Sequence, residues 1–392
     1  MDKAQYYNSV IDQVKDLETL AGVQAECCFD LDKLAKMLPA ETAAGIKRVI
    51  LTGCGDSYSA AGAILPGFKK LSGLRACNSP DIMDFCCYYS PEKIAGGYAM
   101  DEVLVVGASA SGNSQRTVEA LLRGKELGAH TLIVTANPKS KGAETAELVF
   151  DLETPAGCNT PGLRSYYASL VGFAALGAYL GLCSGAIDRD RFDWVKAEIP
   201  AYTRRFLEQF PEVDEQMFRH ALRVKDLTKF EIIGDWNEGY SAQFVEEKFI
   251  ECSGVYCEHT NSEEFAHIGV FHREPKKWGI VALINRADPS LGRMKDSIYG
   301  CLAQHRPTLV VTDAAPETFL EEKRTENPPG YDSMAAKGTP EICQIPTPAE
   351  LWLSPFVDFI PGSLLAGYHA AVNERKYFGG RYDFRTQTWA GR

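Results

Sequence analysis

The chain has 392 residues, a formal charge of −11, 45% hydrophobic and 24% charged residues, which is ordinary globular composition and neither disordered nor fibrous. A balance this acidic leaves no broad cationic surface for a polyanion, so nucleic acid and membrane partners are not expected, while small anions held by a local loop remain open. The length suggests two domains of comparable size.

The first residues, MDKAQYYNSVIDQVKDLETL, carry charges every few positions and no apolar stretch of signal-peptide type. The 12 cysteines are scattered, with no Cys-x-x-Cys, and read as reduced thiols rather than a disulfide framework. Together these features point to a cytoplasmic location. Residues 1–45 read as a helical lead-in, with Val10, Val14, Leu17 and Leu20 at helical spacing, packed on the first domain.

Residues 46–200 then alternate apolar runs with helical stretches. Arg48–Thr52, Val103–Val106 and Thr131–Thr135 read as strands, and helices are expected from about Ser57 and over Ser114–Leu127. Such alternation implies a parallel sheet with helices on both faces. Residues 165–187 carry no charge and are long enough to span a bilayer, but they hold Tyr166, Tyr167 and four glycines, and they read as the buried central helix of a globular domain. The stretch from Ile187 to Phe218, with Pro200 and Pro211, reads as the join. Residues 201–392 repeat the pattern: Phe230–Ile233, Ile280–Ile284 and Thr308–Thr312 answer the first three strands, and Glu238-Gly-Tyr-Ser-Ala242 matches Asp56-Ser-Tyr-Ser-Ala60. Residues 317–348, rich in Pro, Gly and charge, read as a long surface excursion before a final helix near Leu364–Glu374.

The segment from Gly107 to Thr117 follows a strand directly and runs into a helix. Ser109, Ser111, Ser114 and Thr117 place four hydroxyls around a turn whose free N–H groups and helix dipole attract an anion. It suits a phosphate monoester. No Gly-Lys-Ser/Thr follows, so it is not a nucleotide P-loop, and Gly53-Cys-Gly55 lacks the third glycine of a dinucleotide fingerprint. A second polar strand-end turn, Asp56-Ser57, favours a ligand, because open α/β sheets bind at the carboxyl ends of their strands.

These residues resemble the sugar isomerase (SIS) domain, whose phosphate loop reads Ser-x-Ser-Gly-x-Ser/Thr. Nearly the whole chain from about residue 45 is similar to the paired domains of fructosamine-6-phosphate deglycases and of the isomerase part of glucosamine-6-phosphate synthase. The resemblance implies an α/β protein of two tandem SIS-type αβα sandwich domains, each with a mostly parallel sheet. It implies that Ser109, Ser111, Ser114 and Thr117 bind the 6-phosphate, and that Gly55, Asp56 and Ser57 approach the sugar, with Asp56 replacing the threonine of the synthases. Arg164 and Ser165, in a loop that lines the sugar site in related proteins, either touch substrate or, for Arg164, cap the loop.

In these families a helical glutamate precedes, by 16 residues, a histidine just past a Glu-Phe/Leu pair, as Glu251 precedes His267 here. The resemblance therefore nominates Glu251 as base and His267 as its acid partner. The chemistry agrees, since moving a proton between carbons beside a carbonyl needs a carboxylate and a donor near neutral pKa. Cys257, His259, His267 and His272 offer metal-type ligands, but their spacing matches no common zinc pattern, and neither metal nor organic cofactor is expected. The synthases also use a tail lysine; here Arg385 stands at that position, with Lys376 as the nearest alternative, and a guanidinium does not readily form a Schiff base.

The resulting expectation is a deglycase that cleaves a 6-phosphorylated sugar–amine to a hexose 6-phosphate and a free amine. A phosphosugar aldose–ketose isomerase, or an amino-sugar-phosphate isomerase/deaminase, is the alternative, and a non-catalytic sugar-phosphate sensor is the third reading. Related proteins form homodimers whose sites are completed across the interface, so His267 is expected to act either in its own chain or on its neighbour's Glu251. Arg164, Arg385 and His259 are candidates for contact with the amine half, which no signature in the sequence identifies.

Overall fold

The computed structural model describes residues 2–319 and 339–380. Four short helices lead in: α1 (Ser9–Lys15), α2 (Leu17–Cys28), α3 (Leu31–Met37) and α4 (Ala40–Gly45). The first α/β unit follows as β1 (Arg48–Gly53), α5 (Asp56–Ser72), β2 (Ala76–Asn78), α6 (Pro91–Ala95), β3 (Val103–Ala108), α7 (Gln115–Glu126), β4 (His130–Thr135), α8 (Lys141–Thr145), β5 (Leu148–Asp151) and α9 (Arg164–Ser184). Helix α10 (Arg189–Val224) leads to the second unit: β6 (Lys229–Gly234), α11 (Trp236–Ser253), β7 (Tyr256–Thr260), α12 (Ser262–His267), β8 (Trp278–Ile284), α13 (Leu291–Ala303), β9 (Thr308–Thr312), β10 (Glu341–Gln344) and α14 (Phe359–Val372).

The two units repeat one topology. The first sheet runs β2-β1-β3-β4-β5 and the second β7-β6-β8-β9-β10, and every strand pair in both is parallel. Central strands are apolar throughout because helices cover both faces: all six residues of β3 and all seven of β8 are buried. The edge strands β2, β5, β7 and β10 were not expected from the sequence. They are short and part-exposed: β7 is the polar Tyr-Cys-Glu-His-Thr, and the apolar run of β5 is only Leu148-Val149-Phe150. Strand β10 lies inside the stretch read as a surface excursion, of which residues 320–338 fall outside the described residues.

Helix α9 is long and apolar enough to cross a membrane by composition, and it is buried inside the fold. Its glycines are packing sites: a Cβ on Gly181 would lie 1.9 Å from the Leu71 carbonyl oxygen, so only glycine lets α9 and α5 close on each other.

The stretch expected as an irregular join is the single helix α10, which runs unbroken through Pro200 and Pro211. A helix-interior proline costs about 3 kcal/mol. Against that, Phe192, Val195, Ile199, Tyr202, Phe206, Phe210, Val213 and Met217 form a buried stripe, each large side chain contributing about 1.5–3 kcal/mol. The helix packs against α2, α9 and α14, and the lead-in likewise touches both halves: α2 lies on α9 and α10, while α1 lies on α14.

Helices α5 and α11 cross antiparallel between the two units. Asp56 meets Lys248, Ser59 meets Glu247, and the Tyr240 ring covers Gly62. This crossing lays the last turns of α11 over the first turn of α5.

Candidate active site

In a sheet ordered 2-1-3-4-5 the crevice opens between the carboxyl ends of the first and third strands. There β1 turns through Cys54-Gly55 into α5, and β3 turns through residues 109–114 into α7. Gly55, at φ 53°, has no side chain to cap α5, and the Ser114 side chain makes no capping bond to α7. The start of α7, uncapped by the Ser114 side chain, and the first turn of α5, where Ser57 N and Tyr58 N donate back to the Cys54 and Gly55 carbonyls, therefore face one place. They meet at Cys54, whose sulfur accepts from Ser114 Oγ at 3.2 Å and lies 3.9 Å from Thr117 Oγ1. Ser109 and Thr117 are buried, Ser114 is half-buried and Ser111 is exposed.

The loop is braced from β4 and α8. Ser109 N donates to the Val134 carbonyl at 3.0 Å, Asn137 Nδ2 to the Ser111 carbonyl at 3.2 Å, and Gly142 N to the Gly112 carbonyl at 2.9 Å. Gly112 has φ 68°, and a Cβ there would sit 1.9 Å from Ser140 Oγ, so no other residue fits. The loop is thus held by hydrogen bonds from its neighbours.

Above Asp56, the first residue of α5, stands a charged cluster from α11. The Lys248 side chain is completely buried and donates to Asp56 Oδ1 at 2.9 Å and to Glu251 Oε2. Ser59 Oγ donates to Glu247 Oε1 at 3.1 Å. Burial opposes the Lys248 charge, but Asp56 and Glu251 outweigh it and raise its pKa. The Glu251 pKa is also raised: burial pushes it up, Lys248 pulls it down, and Asp56 pushes it up again. Burial and Asp56 lift Glu247 well above the ordinary carboxylate range. A carboxylate with raised proton affinity beside a fixed ammonium is equipped to take a proton from carbon and hold the negative charge that develops.

The structure places the remaining residues nominated from sequence as follows. A Cβ on Gly162 would lie 2.7 Å from Asp56 Oδ2 and 2.8 Å from Ser165 Oγ, so Ser165 shares the crevice with Asp56. Ser57, half-buried, sits in the same first turn. Arg164 has the loop-holding role of its two alternatives: it is buried, Nε pairs with Asp16 Oδ2 at 2.6 Å, and Nη2 donates to the Pro155 carbonyl at 2.8 Å. Arg385 lies outside the described residues, and Lys376 is exposed. The segment just before Arg385 wraps the end of α11: Phe378 N donates to the Glu251 carbonyl at 2.7 Å, and Arg375 Nη1 to that of Ser253 at 2.5 Å.

His267 is not brought to Glu251 within one chain. Ser262 N donates to Asp235 Oδ1 at 2.9 Å, which fixes the start of α12 beside the start of α11. Glu251 is in the last turn of α11, on the order of 20 Å along the helix at about 1.5 Å per residue. His267 is 67% exposed and pairs with Glu263 at 2.9 Å. His259 pairs with Glu246 at the rim of a cavity of about 600 Å³ lined also by Tyr58, Trp236 and Tyr240. Cys257 is buried, a packed thiol. Among the described residues, the cluster compact enough to hold a metal ion is Glu231, Glu258 and His272, and Arg306 already pairs with Glu231 at 3.2 Å.

Lys248, Glu247 and Ser59 were not singled out in the sequence. A lysine and two glutamates at helical spacing read as a solvated face, and only the crossing of α5 with α11 buries them.

No family model and no curated protein matches the sequence. Solved structures do match. The C-terminal domain of glucosamine-fructose-6-phosphate aminotransferase from Francisella tularensis is 16% identical, with a TM-score of 0.78 over 96% of this chain and 99% of that one. Glucosamine-6-phosphate deaminase from Thermotoga maritima is 16% identical, with a TM-score of 0.64 over 94% and 96%. Tagatose-6-phosphate ketose/aldose isomerase from Escherichia coli is 14% identical, with a TM-score of 0.64 over 92% and 91%. These likenesses establish the fold as the tandem αβα arrangement of SIS type.

Proposed function

We propose that this protein is a sugar-phosphate enzyme that moves a proton between the carbons beside a carbonyl, and that its substrate is a 6-phosphorylated sugar–amine adduct. One observation carries the reading: the anion cradle of α5 and α7 and the Asp56–Lys248–Glu251 cluster meet at a single switch point. The similar structures are named for an aminotransferase, a deaminase and an isomerase of phosphosugars, which supports the coarser reading.

In the proposed reaction the cradle holds the 6-phosphate of the open-chain ketosamine. The Glu251 carboxylate takes a proton from C1, the Lys248 ammonium steadies the negative charge that develops on the enolamine, and Glu251 returns the proton to C2. The product is an imine at C1, with a hydroxyl at C2. Water adds to C1, the C–N bond breaks, and glucose 6-phosphate and the free amine leave. The substrate carries its own nitrogen, so no Schiff-base lysine is needed, and Lys248 is held as an ammonium and not as a nucleophilic amine. A proton donor for the carbonyl oxygen is then supplied by His267 of a second copy, in a homodimer.

The aldose–ketose isomerase or deaminase is the second reading, since the same proton transfer by Glu251 serves it. Incubation with several 6-phosphofructosyl amino acids, with glucosamine 6-phosphate and fructose 6-phosphate as controls, separates the cases. Stoichiometric release of glucose 6-phosphate and amine, lost in Glu251→Gln, is the expected result. Interconversion of the plain sugar phosphates without amine release favours the isomerase, and no turnover with retained phosphate-ligand binding favours a sensor.

A further inference from the structure

We propose that the cavity of about 600 Å³ beside the Tyr58–Tyr240 contact is a binding site for a neutral pyranose sugar, free or at the end of a glycoside, with the Trp236 indole as its stacking surface.

The cavity opens at the carboxyl ends of β6 and β7, and its volume falls in the range of about 300–1,000 Å³ that small-ligand sites occupy. Trp236, Tyr240 and Gln243 of α11 line it, together with His259 of β7, Asn261 just after β7, and Tyr58 of α5. It shares the first turn of α5 with the Asp56–Lys248–Glu251 crevice but lies apart from it along α11. Lys248 follows Trp236 by 12 residues, about 18 Å of helix at about 1.5 Å per residue.

Trp236 carries the argument. Its φ is 50°, a left-handed backbone that bulky residues avoid, and it is 55% exposed, so burial of the indole offsets little of that strain. The turn is a requirement of the fold and the indole is not. In the first repeat the chain also passes through positive φ two residues after the strand, at Gly55 with φ 53°, and glycine adopts that backbone freely. The second repeat sets a tryptophan at the matching place, where its side chain forms a wall of the cavity.

The groups around the indole select the ligand. The Tyr240 ring is held by its packing over Gly62 and by its edge-to-face contact with Tyr58, so two further aromatic rings stand in place. Asn261 Oδ1 accepts from Glu264 N at 2.8 Å, which leaves the Nδ2 donors for a ligand. His259 is paired with Glu246 through Nδ1, which leaves Nε2. Among the described residues the Gln243 carboxamide has no protein partner. None of the described residues lining the cavity is Asp, Glu, Lys or Arg, so neither a phosphate nor an ammonium group finds a fixed counter-charge there. Aromatic rings flanked by groups that donate and accept call for a molecule with an apolar C–H face and an edge of hydroxyls. A pyranose has both.

The test is saturation-transfer NMR of the full chain with glucose, galactose, N-acetylglucosamine and maltose, and with adenosine as a flat aromatic comparison. At least one sugar is expected to receive saturation on its ring protons. Trp236→Gly is expected to abolish that transfer while its thermal midpoint stays within about 1 °C of wild type or rises, because glycine relieves the left-handed turn. Gln243→Leu is expected to keep the fold and weaken the sugar about tenfold. Transfer to none of the sugars, transfer undiminished in Trp236→Gly, or transfer to adenosine alone overturns the proposal. A Trp236→Gly midpoint several degrees lower also overturns it, since the indole is then a structural part. None of these outcomes depends on phosphosugar turnover.

Discussion

Tyr58 and Tyr240 occupy equivalent positions in the two repeats, and their rings meet edge to face with centroids 5.9 Å apart. The contact marks where α5 and α11 cross, and it fixes how far α11 reaches over the first turn of α5. That reach decides which side chains stand above Asp56.

Lys248 is the keystone of that arrangement, and Lys248→Met is expected to fail twice. Asp56 and Glu251 are left facing each other without a cation, at a cost of about 3–5 kcal/mol in urea unfolding. Turnover is expected to fall by on the order of 100-fold or more in kcat with the KM for phosphosugar changed far less, because in the proposed reaction the lost charge steadies the transition state and not the phosphate.

With Glu251 as the proposed base, its carboxyl sets the pH profile. Its pKa is raised, by burial first, and the base works only when deprotonated. The acid limb of kcat/KM is therefore expected above the ordinary glutamate value of 4.5, with activity falling about tenfold per pH unit below it. A limb at or below 4.5 removes Glu251 from the role.

Separation of His267 from Glu251 within one chain gives a mixing experiment. Inactive His267→Ala and inactive Glu251→Gln proteins, unfolded together and refolded, are expected to recover roughly a quarter of wild-type activity, because half of the random dimers carry one intact site of two. No recovery from well-folded mixtures shows that the histidine does not act across chains.

In the proposed reading, anion binding rests on Ser114 and Thr117 around Cys54. Thr117→Val is expected to weaken binding of inorganic phosphate or a phosphosugar about tenfold by calorimetry, the value of one charged hydrogen bond. Alkylation of Cys54 fills the cradle and abolishes binding, and phosphate protects the thiol from the reagent. A phosphate affinity insensitive to both changes places the anion elsewhere.

His369 sets an acid limit on stability. It is buried, its Nε2–H donates to the Leu227 carbonyl at 3.1 Å, and its Nδ1 lies 3.0 Å from Ser253 Oγ; burial, then Arg375, lowers its pKa to about 4 from 6.5. The folded value lies below the unfolded one, so the stability is whole above pH 6.5 and is lost as pH falls toward 4, amounting to about 3 kcal/mol. His369→Gln is expected to flatten that part of the pH–stability curve relative to wild type.

Much of this molecule is readable from its residues, and the unreadable parts share a cause. The central strands and the repeat declare themselves because burial on both faces demands unbroken apolar runs, as in Val103–Val106 and Ile280–Ile284. Strand β7 is an edge, half exposed, and its Glu258 and His259 hide it. Helix α10 is concealed by its prolines, whose local cost is visible while the long buried stripe opposite is a tertiary fact. The hydroxyl-rich turn from Ser109 to Thr117 is local and legible; Lys248 is an ordinary helical lysine until α5 covers it.

The matching strand orders of the two halves have an evolutionary meaning. In a dimer of identical single units, any substitution in the anion loop appears at both sites, so neither can change without the other. Joined in one polypeptide through α10, the two copies are released from that constraint. Selection can keep hydroxyls at Ser114 and Thr117 while the loop after β8 carries Asp288, and inheritance of one gene then transmits two unlike crevices on one scaffold.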